Sequence, residues 1–162
     1  EILYSQILKM TEGLKDNVLN GTVFDIFCGT GTIGMFLAKY AKQVVGIELN
    51  EDAVKIANEN AKNNKIFNID FYTGNIEKVV PNLKVRPSLI VVDPPRVGLT
   101  KKLIEQISEL NSRNLIYVSC NPATLARDYD LLNRYGFRIE KIQPVDLFPH
   151  TFHIENVCLL KR

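Results

Sequence analysis

The chain has 162 residues, 46% of them hydrophobic and 23% charged, the size and balance of one domain with a core of its own. No apolar run approaches the ~20 residues of a membrane span, and three cysteines without regular spacing argue against a disulfide framework and for a reducing, cytoplasmic compartment. A net charge of +2 and a pI near 8.4 neither establish nor exclude a nucleic-acid partner.

Ile2, Leu3, Ile7, Met10, Leu14 and Val18 recur at helical spacing, which predicts an amphipathic helix over 1–18 stopped by Asn20-Gly21. The chain begins without methionine inside that helix, so 1–162 is expected to be one domain excised from a longer protein. Residues 22–27 form an apolar strand, followed by a glycine-rich stretch and a helix to about residue 42. A second strand covers 44–49, with Glu48 at its end, and a helix rich in Ala, Lys, Glu and Asn covers 51–63. Strands follow at 67–72, 89–92 and 115–118, with helices over 101–110 and 123–133. Two last strands, 136–147 and 154–160, have no helix between them. Such an alternation predicts an α/β fold: a doubly wound, mostly parallel seven-stranded sheet with an antiparallel C-terminal hairpin.

Three stretches carry chemistry. Gly29-x-Gly31-x-x-Gly34 lies between a strand and a helix, where missing side chains let a ligand approach the backbone. A dinucleotide would want an acid about 20 residues on for its ribose, and Glu48 fits that place. Asp25, inside the first strand, makes the pattern Asp-x-x-x-Gly-x-Gly, which resembles class I methyltransferases that bind S-adenosylmethionine (SAM). Asp93-Pro94-Pro95-Arg96 follows the fourth strand, and two prolines remove backbone donors and stiffen the exit from the sheet. Ser119-Cys120-Asn121-Pro122 ends the fifth strand with a thiol at the sheet edge. A nucleophile belongs there, although a free cysteine is also a common small packing residue. No Cys-x-x-Cys is present and both histidines lie far from Cys28, so no metal site is expected.

Read together, Asp25-Ile26-Phe27-Cys28-Gly29-Thr30-Gly31-Thr32-Ile33-Gly34, Asp93-Pro94-Pro95-Arg96-Val97-Gly98, Ser119-Cys120-Asn121-Pro122-Ala123-Thr124-Leu125-Ala126-Arg127-Asp128 and Asp146-Leu147-Phe148-Pro149-His150-Thr151-Phe152-His153-Ile154-Glu155 resemble the C-terminal catalytic domain of the RNA uracil-5 methyltransferase family. The resemblance covers nearly the whole chain from about Thr22. It implies SAM as cofactor and, as partner, tRNA or 23S rRNA with a flipped-out uridine. It implies Cys120 as the nucleophile that adds to uracil C6 and Glu155 as the base that removes the C5 proton. For the cofactor the matching positions are Phe27, Gly29, Gly31, Thr32, Glu48, Asn75 and Asp93. Thr32 stands where many members carry Asn.

Arg127 and Asp128 fit an internal ion pair or an RNA contact equally well. His150 and His153 are candidates for hydrogen bonds to the base or the loop, and Cys28 and Cys158 read as packing residues. The competing functions are a non-catalytic SAM- or RNA-binding module and a dinucleotide-dependent oxidoreductase, and Asp25, Asp-Pro-Pro and the Cys/Glu pair disfavour the latter.

Overall fold

A computed structural model describes residues 2–12, 14, 21–147, 150, 151 and 154–162. The strands are β1 (Thr22–Ile26), β2 (Gln43–Glu48), β3 (Ile69–Thr73), β4 (Pro87–Val92), β5 (Asn114–Ser119), β6 (Arg138–Val145) and β7 (Glu155–Lys161). They form one sheet in the order β3-β2-β1-β4-β5-β7-β6. All neighbours from β3 to β5 run parallel, and β7 alone is reversed, inserted between β5 and β6. The expected doubly wound sheet is therefore present, with its antiparallel C-terminal strands.

Both faces of the central strands are covered, which is why they read as unbroken apolar runs rather than alternating ones. Helices α1 (Ile2–Glu12), α2 (Thr32–Leu37) and α3 (Glu51–Asn63) lie on one face, sending Ile7, Met10, Ile33, Leu37 and Ala61 against Val23, Leu89, Val91, Ile116 and Leu159. Helices α4 (Ile76–Val79), α5 (Lys101–Glu109) and α6 (Pro122–Arg134) lie on the other, with Ile76, Leu103, Ile107, Leu125 and Leu132 against Phe24, Ile47, Ile90, Val92 and Tyr117. α3 begins where the sequence places it because the Asn50 side chain accepts from the Asp52 and Ala53 amides, with Glu51 and Asp52 at the positive end of the helix.

Three boundaries differ from the sequence pattern. α1 is helical to Glu12, and residues 1, 13 and 15–18 of the predicted 1–18 helix lie outside the described residues. α2 stops at Leu37 rather than near 42 because the Asn68 side-chain amide donates to the Ala38 and Ala41 carbonyls, closing the turn before β2. The third strand starts at Ile69 rather than 67, leaving Phe67 85% exposed ahead of it. A four-residue helix, α4, was too short to show any period.

Where the order passes from β1 to β4 the winding direction reverses, and the loops after these strands part to open a crevice at the carboxyl edge. Gly46 on β2 permits the close packing beside it. A Cβ there would lie 2.4 Å from the Phe71 ring and 3.0 Å from Cys28 Sγ. Gly46→Ala is expected to lower the unfolding free energy by about 1–3 kcal/mol, and Phe71→Leu in the same chain to recover part of it. Urea denaturation of the two variants checks this, and a silent Gly46→Ala would show that the contact is not tight.

Candidate active site

The loop leaving β1 is held by its neighbour strand. The Phe27 and Cys28 amides both donate to the Ile47 carbonyl, at 3.0 and 3.1 Å, and Phe27 takes a left-handed φ of 67° that a bulky residue rarely adopts. Glu48 fastens the loops after β1 and β2 together: Gly29 N donates to its Oε2 at 3.1 Å and Asn50 N to its Oε1 at 2.9 Å. Each carboxylate oxygen keeps a lone pair for a further donor.

The three glycines do different work. Gly29, at φ +52°, has nothing within 4 Å of where a Cβ would stand, so it faces open space. Gly31 makes room for the Phe71 ring, 2.6 Å from its would-be Cβ, and Gly34 for the Asp25 carboxylate, 2.8 Å away. Only Gly29 of the motif offers the backbone to a ligand at that position. Thr32 is exposed at the start of α2, its hydroxyl 3.5 Å from that of Thr30.

Beyond this loop a cavity of about 200 Å³ is lined by Phe27, Leu49, Asn75, Ile76, Val97 and Leu103, among others. Phe27 and Asn75, nominated by the resemblance, thus meet on one wall system, and Glu48 stands next to Leu49. Gly29, Gly31, Thr32, Glu48 and Asp93 do not line it. Leu49 and Val97 were not nominated. Their signal is exposure, 64% and 71%, for large apolar side chains, and only the folded chain displays it. A larger hollow of 480 Å³ includes Ser88, Asn111 and Arg113 and none of the nominated residues.

Asp25 is fully buried. Its Oδ2 accepts from Gly34 N at 2.7 Å, and its Oδ1 has no partner among the described residues. Burial pushes its pKa up to about 7, the Gly34 hydrogen bond opposes this, and the charges of Asp93 and Glu48 add to the rise. Asp93, half-buried just past β4, is pushed up to about 6, by burial first and then by the neighbouring Glu155 carboxylate.

Cys120 is the first residue past β5 and is half-buried. Ser119 of β5 pairs with Asn156 of β7, so Cys120 follows that pair on one strand and Glu155 precedes it on the other. Two residues 35 positions apart in sequence, by 155 minus 120, are brought to one edge beside Asp93. The other two thiols are buried. Burial pushes Cys158 up to about 11, and Cys28 further, with Asp25 and Glu48 adding to the latter. Both are held as thiols, as packing residues should be. Arg127 and Asp128 form an internal ion pair at 2.7 Å with Asp128 fully buried. His150 is exposed, while His153, Phe148, Pro149 and Phe152 lie outside the described residues.

A family described as a methyltransferase domain matches residues 18–143. An uncharacterized RNA methyltransferase of Clostridium acetobutylicum is 47% identical over 100% of the chain, which spans 35% of that relative. A similarly named protein of Enterococcus faecalis is also 47% identical over 100% of the chain and 35% of its own length. The chain therefore spans about a third of the curated relatives it matches. Among solved structures, the Pyrococcus abyssi tRNA (uracil-54, C5)-methyltransferase in complex with S-adenosyl-L-homocysteine (SAH) superposes with a TM-score of 0.78 at 33% identity, covering 96% of this chain and 38% of that one. The magnesium protoporphyrin IX methyltransferase of Synechocystis shares the fold at a TM-score of 0.77 and 16% identity, over 99% and 78% of the two chains.

The Asp25 carboxyl binds its proton more tightly in the fold than in the unfolded chain. Unfolding then releases that proton between about pH 4 and about pH 7, and stability falls as pH rises through this window. The ligand-free chain should lose on the order of 2 kcal/mol between pH 5 and pH 8. Asp25→Asn, whose amide oxygen still accepts from Gly34 N, should lose clearly less. Urea midpoints at the two pH values check this; equal losses would sink it.

Proposed function

The chain belongs to the methyltransferase-domain family, and from that premise we propose that residues 1–162 are the catalytic domain of an RNA methyltransferase that methylates C5 of a uridine, in tRNA or 23S rRNA, through a covalent Cys120–C6 adduct. The observation that carries this reading is the meeting of Cys120, Glu155 and Asp93 where β5 and β4 end and the antiparallel β7 begins. The likeness to the Pyrococcus abyssi enzyme supports the choice of base and atom.

The residues present fit the cofactor, SAM. Gly29 leaves open backbone, the apolar walls formed by Phe27, Leu49 and Ile76 suit a flat heteroaromatic ring, and Asn75 offers that ring a polar edge. Glu48 retains acceptor capacity for ribose hydroxyls. Glu48 and Asp93 put carboxyl groups at this edge, within reach of a sulfonium cation. Bound there, SAM supplies an electrophilic methyl group to uracil C5 and departs as a neutral thioether.

Uracil C5 is a weak nucleophile, and Cys120 remedies that. Its thiolate adds to C6, forming a C–S bond and sending the C5–C6 π pair onto C5 and O4 as an enolate. C5 can then accept the methyl group, and it becomes a tetrahedral carbon carrying both methyl and hydrogen. Glu155 takes that proton; the C–H pair restores the C5–C6 double bond and expels the Cys120 thiolate. A half-buried carboxylate beside the adduct excludes some of the water that would otherwise solvate it. The uridine must leave its stack to reach this edge, so base flipping belongs to the reaction.

The test uses the full-length protein with SAM and RNA carrying 5-fluorouridine. Fluorine cannot be removed as a proton, so RNA should stay bonded to Cys120, visible on a denaturing gel and by mass spectrometry, and Cys120→Ala should form no adduct. Absence of the adduct, or its persistence in Cys120→Ala, refutes the mechanism. With ordinary RNA, Glu155→Gln should add the methyl group but release product about 10²–10⁴-fold more slowly; normal turnover would remove Glu155 from its role.

A further inference from the structure

The segment from Asp93 to Thr100 joins β4 to α5 without regular structure, yet the carbonyls of Arg96, Val97 and Leu99 and the amide of Leu99 are all bonded to side chains at the start of α6. Asn121 Nδ2 and Thr124 Oγ1 donate to the Arg96 carbonyl at 3.1 and 3.2 Å. Arg127 Nη2 donates to the Val97 carbonyl at 2.8 Å and to the Leu99 carbonyl at 3.2 Å. Asp128 Oδ2 accepts from Leu99 N at 2.7 Å. Residues 121, 124 and 128 share one helical face, with 127 at its side.

Gly98 shows how close the contact is. At φ +76°, its would-be Cβ lies 2.5 Å from Asp128 Oδ2 and 2.6 Å from Arg127 Nη2, so only glycine fits. Asp128 is fully buried, and its charge is met by Arg127 Nε and Nη2 at 2.9 and 2.7 Å. Its Oδ2 also accepts from the Tyr117 hydroxyl at 2.7 Å, and Tyr117 lies on β5, three residues before Cys120.

We propose that Arg127 and Asp128 are positioning residues that lock the cavity-lining loop to the strand–helix junction bearing Cys120, so that cofactor affinity and thiol placement rise and fall together. Val97, Gly98 and Thr100 belong to the cavity wall, and Asp93 begins the same loop. On the other side, Asn121 caps α6 directly after Cys120, its Oδ1 accepting from Ala123 N at 3.1 Å. One buried carboxylate thus holds the cofactor side and the thiol side in one frame. An RNA contact by Asp128 is ruled out by its burial.

The purpose of this lock rests on the methyl-transfer function proposed above, but neither readout needs RNA, so failure here and failure there are distinguishable. In the full-length protein, Arg127→Met keeps the aliphatic stem and removes the fork; the side chain is 53% exposed, so the variant should fold. Two constants are measured per folded molecule: the Kd for SAH by calorimetry, and the rate of Cys120 alkylation by iodoacetamide, read from the Cys120 peptide by mass spectrometry. The Kd should rise about tenfold, the scale of a lost charge-assisted hydrogen bond, and the alkylation rate should change severalfold. Arg127→Lys restores the charge but not the fork, and should recover the melting temperature without recovering either constant. Thr124→Val, which removes one grip on the Arg96 carbonyl, should shift both in the same direction by less. Arg134→Met, at the far end of α6, is the control. Wild-type constants in folded Arg127→Met, a change in only one constant, or full rescue by lysine would each overturn the coupling.

Discussion

The reversal of β7 is the constraint on which the site depends. Parallel strands all end at the carboxyl edge, so a further parallel strand would begin at the opposite edge, far from the thiol. An antiparallel strand begins where its neighbours finish, and that puts Glu155, the first residue of β7, beside Cys120, the first residue past β5. The register is protected by the two cores. Val157 and Leu159 face α1, α2 and α3, whereas Cys158 and Leu160 face α4, α5 and α6. A slip by one residue would exchange these sets and force each into the packing built for the other, so the position of Glu155 is set by packing several residues away from it.

The second constraint is charge. Asp25, buried inside β1, lies close beneath Glu48 and Asp93 at the carboxyl edge, and among the described residues none is ion-paired with a basic side chain. Such an edge is unfavourable while its acids are ionised, and the raised pKa values of Asp25 and Asp93 express that in the usual way: the proton is retained rather than the charge buried. A cationic ligand relieves the strain and a neutral one does not.

Much of this was legible in the chain because it is local. A run rich in Ala, Lys, Glu and Asn announces α3, Pro122 announces α6, and two strands without an intervening helix announce the hairpin. What escaped depends on distance in space. The glycine pattern gives no sign that Gly31 and Gly34 also make room for Phe71 and Asp25, because those partners arrive from other strands. Thr32 fits the motif by position, yet it is exposed and does not line the cavity. Leu49 and Val97 look like ordinary apolar residues until the fold leaves them at a rim.

Arg127 and Asp128 show the same limit from the other side. As adjacent charges on a helix they read equally well as an RNA contact or an internal pair, and burial separates the two readings. A carboxylate taken fully from water must have its lone pairs met, and here a guanidinium, a tyrosine hydroxyl and a backbone amide meet them. Each partner comes from a different part of the chain: α6 itself, β5 and the loop after β4. Their geometry is mutually fixed because removing any one leaves a buried charge under-satisfied. The motif containing the thiol thus extends beyond it for a structural reason: the residues after Cys120 determine where the opposite wall of the site stands.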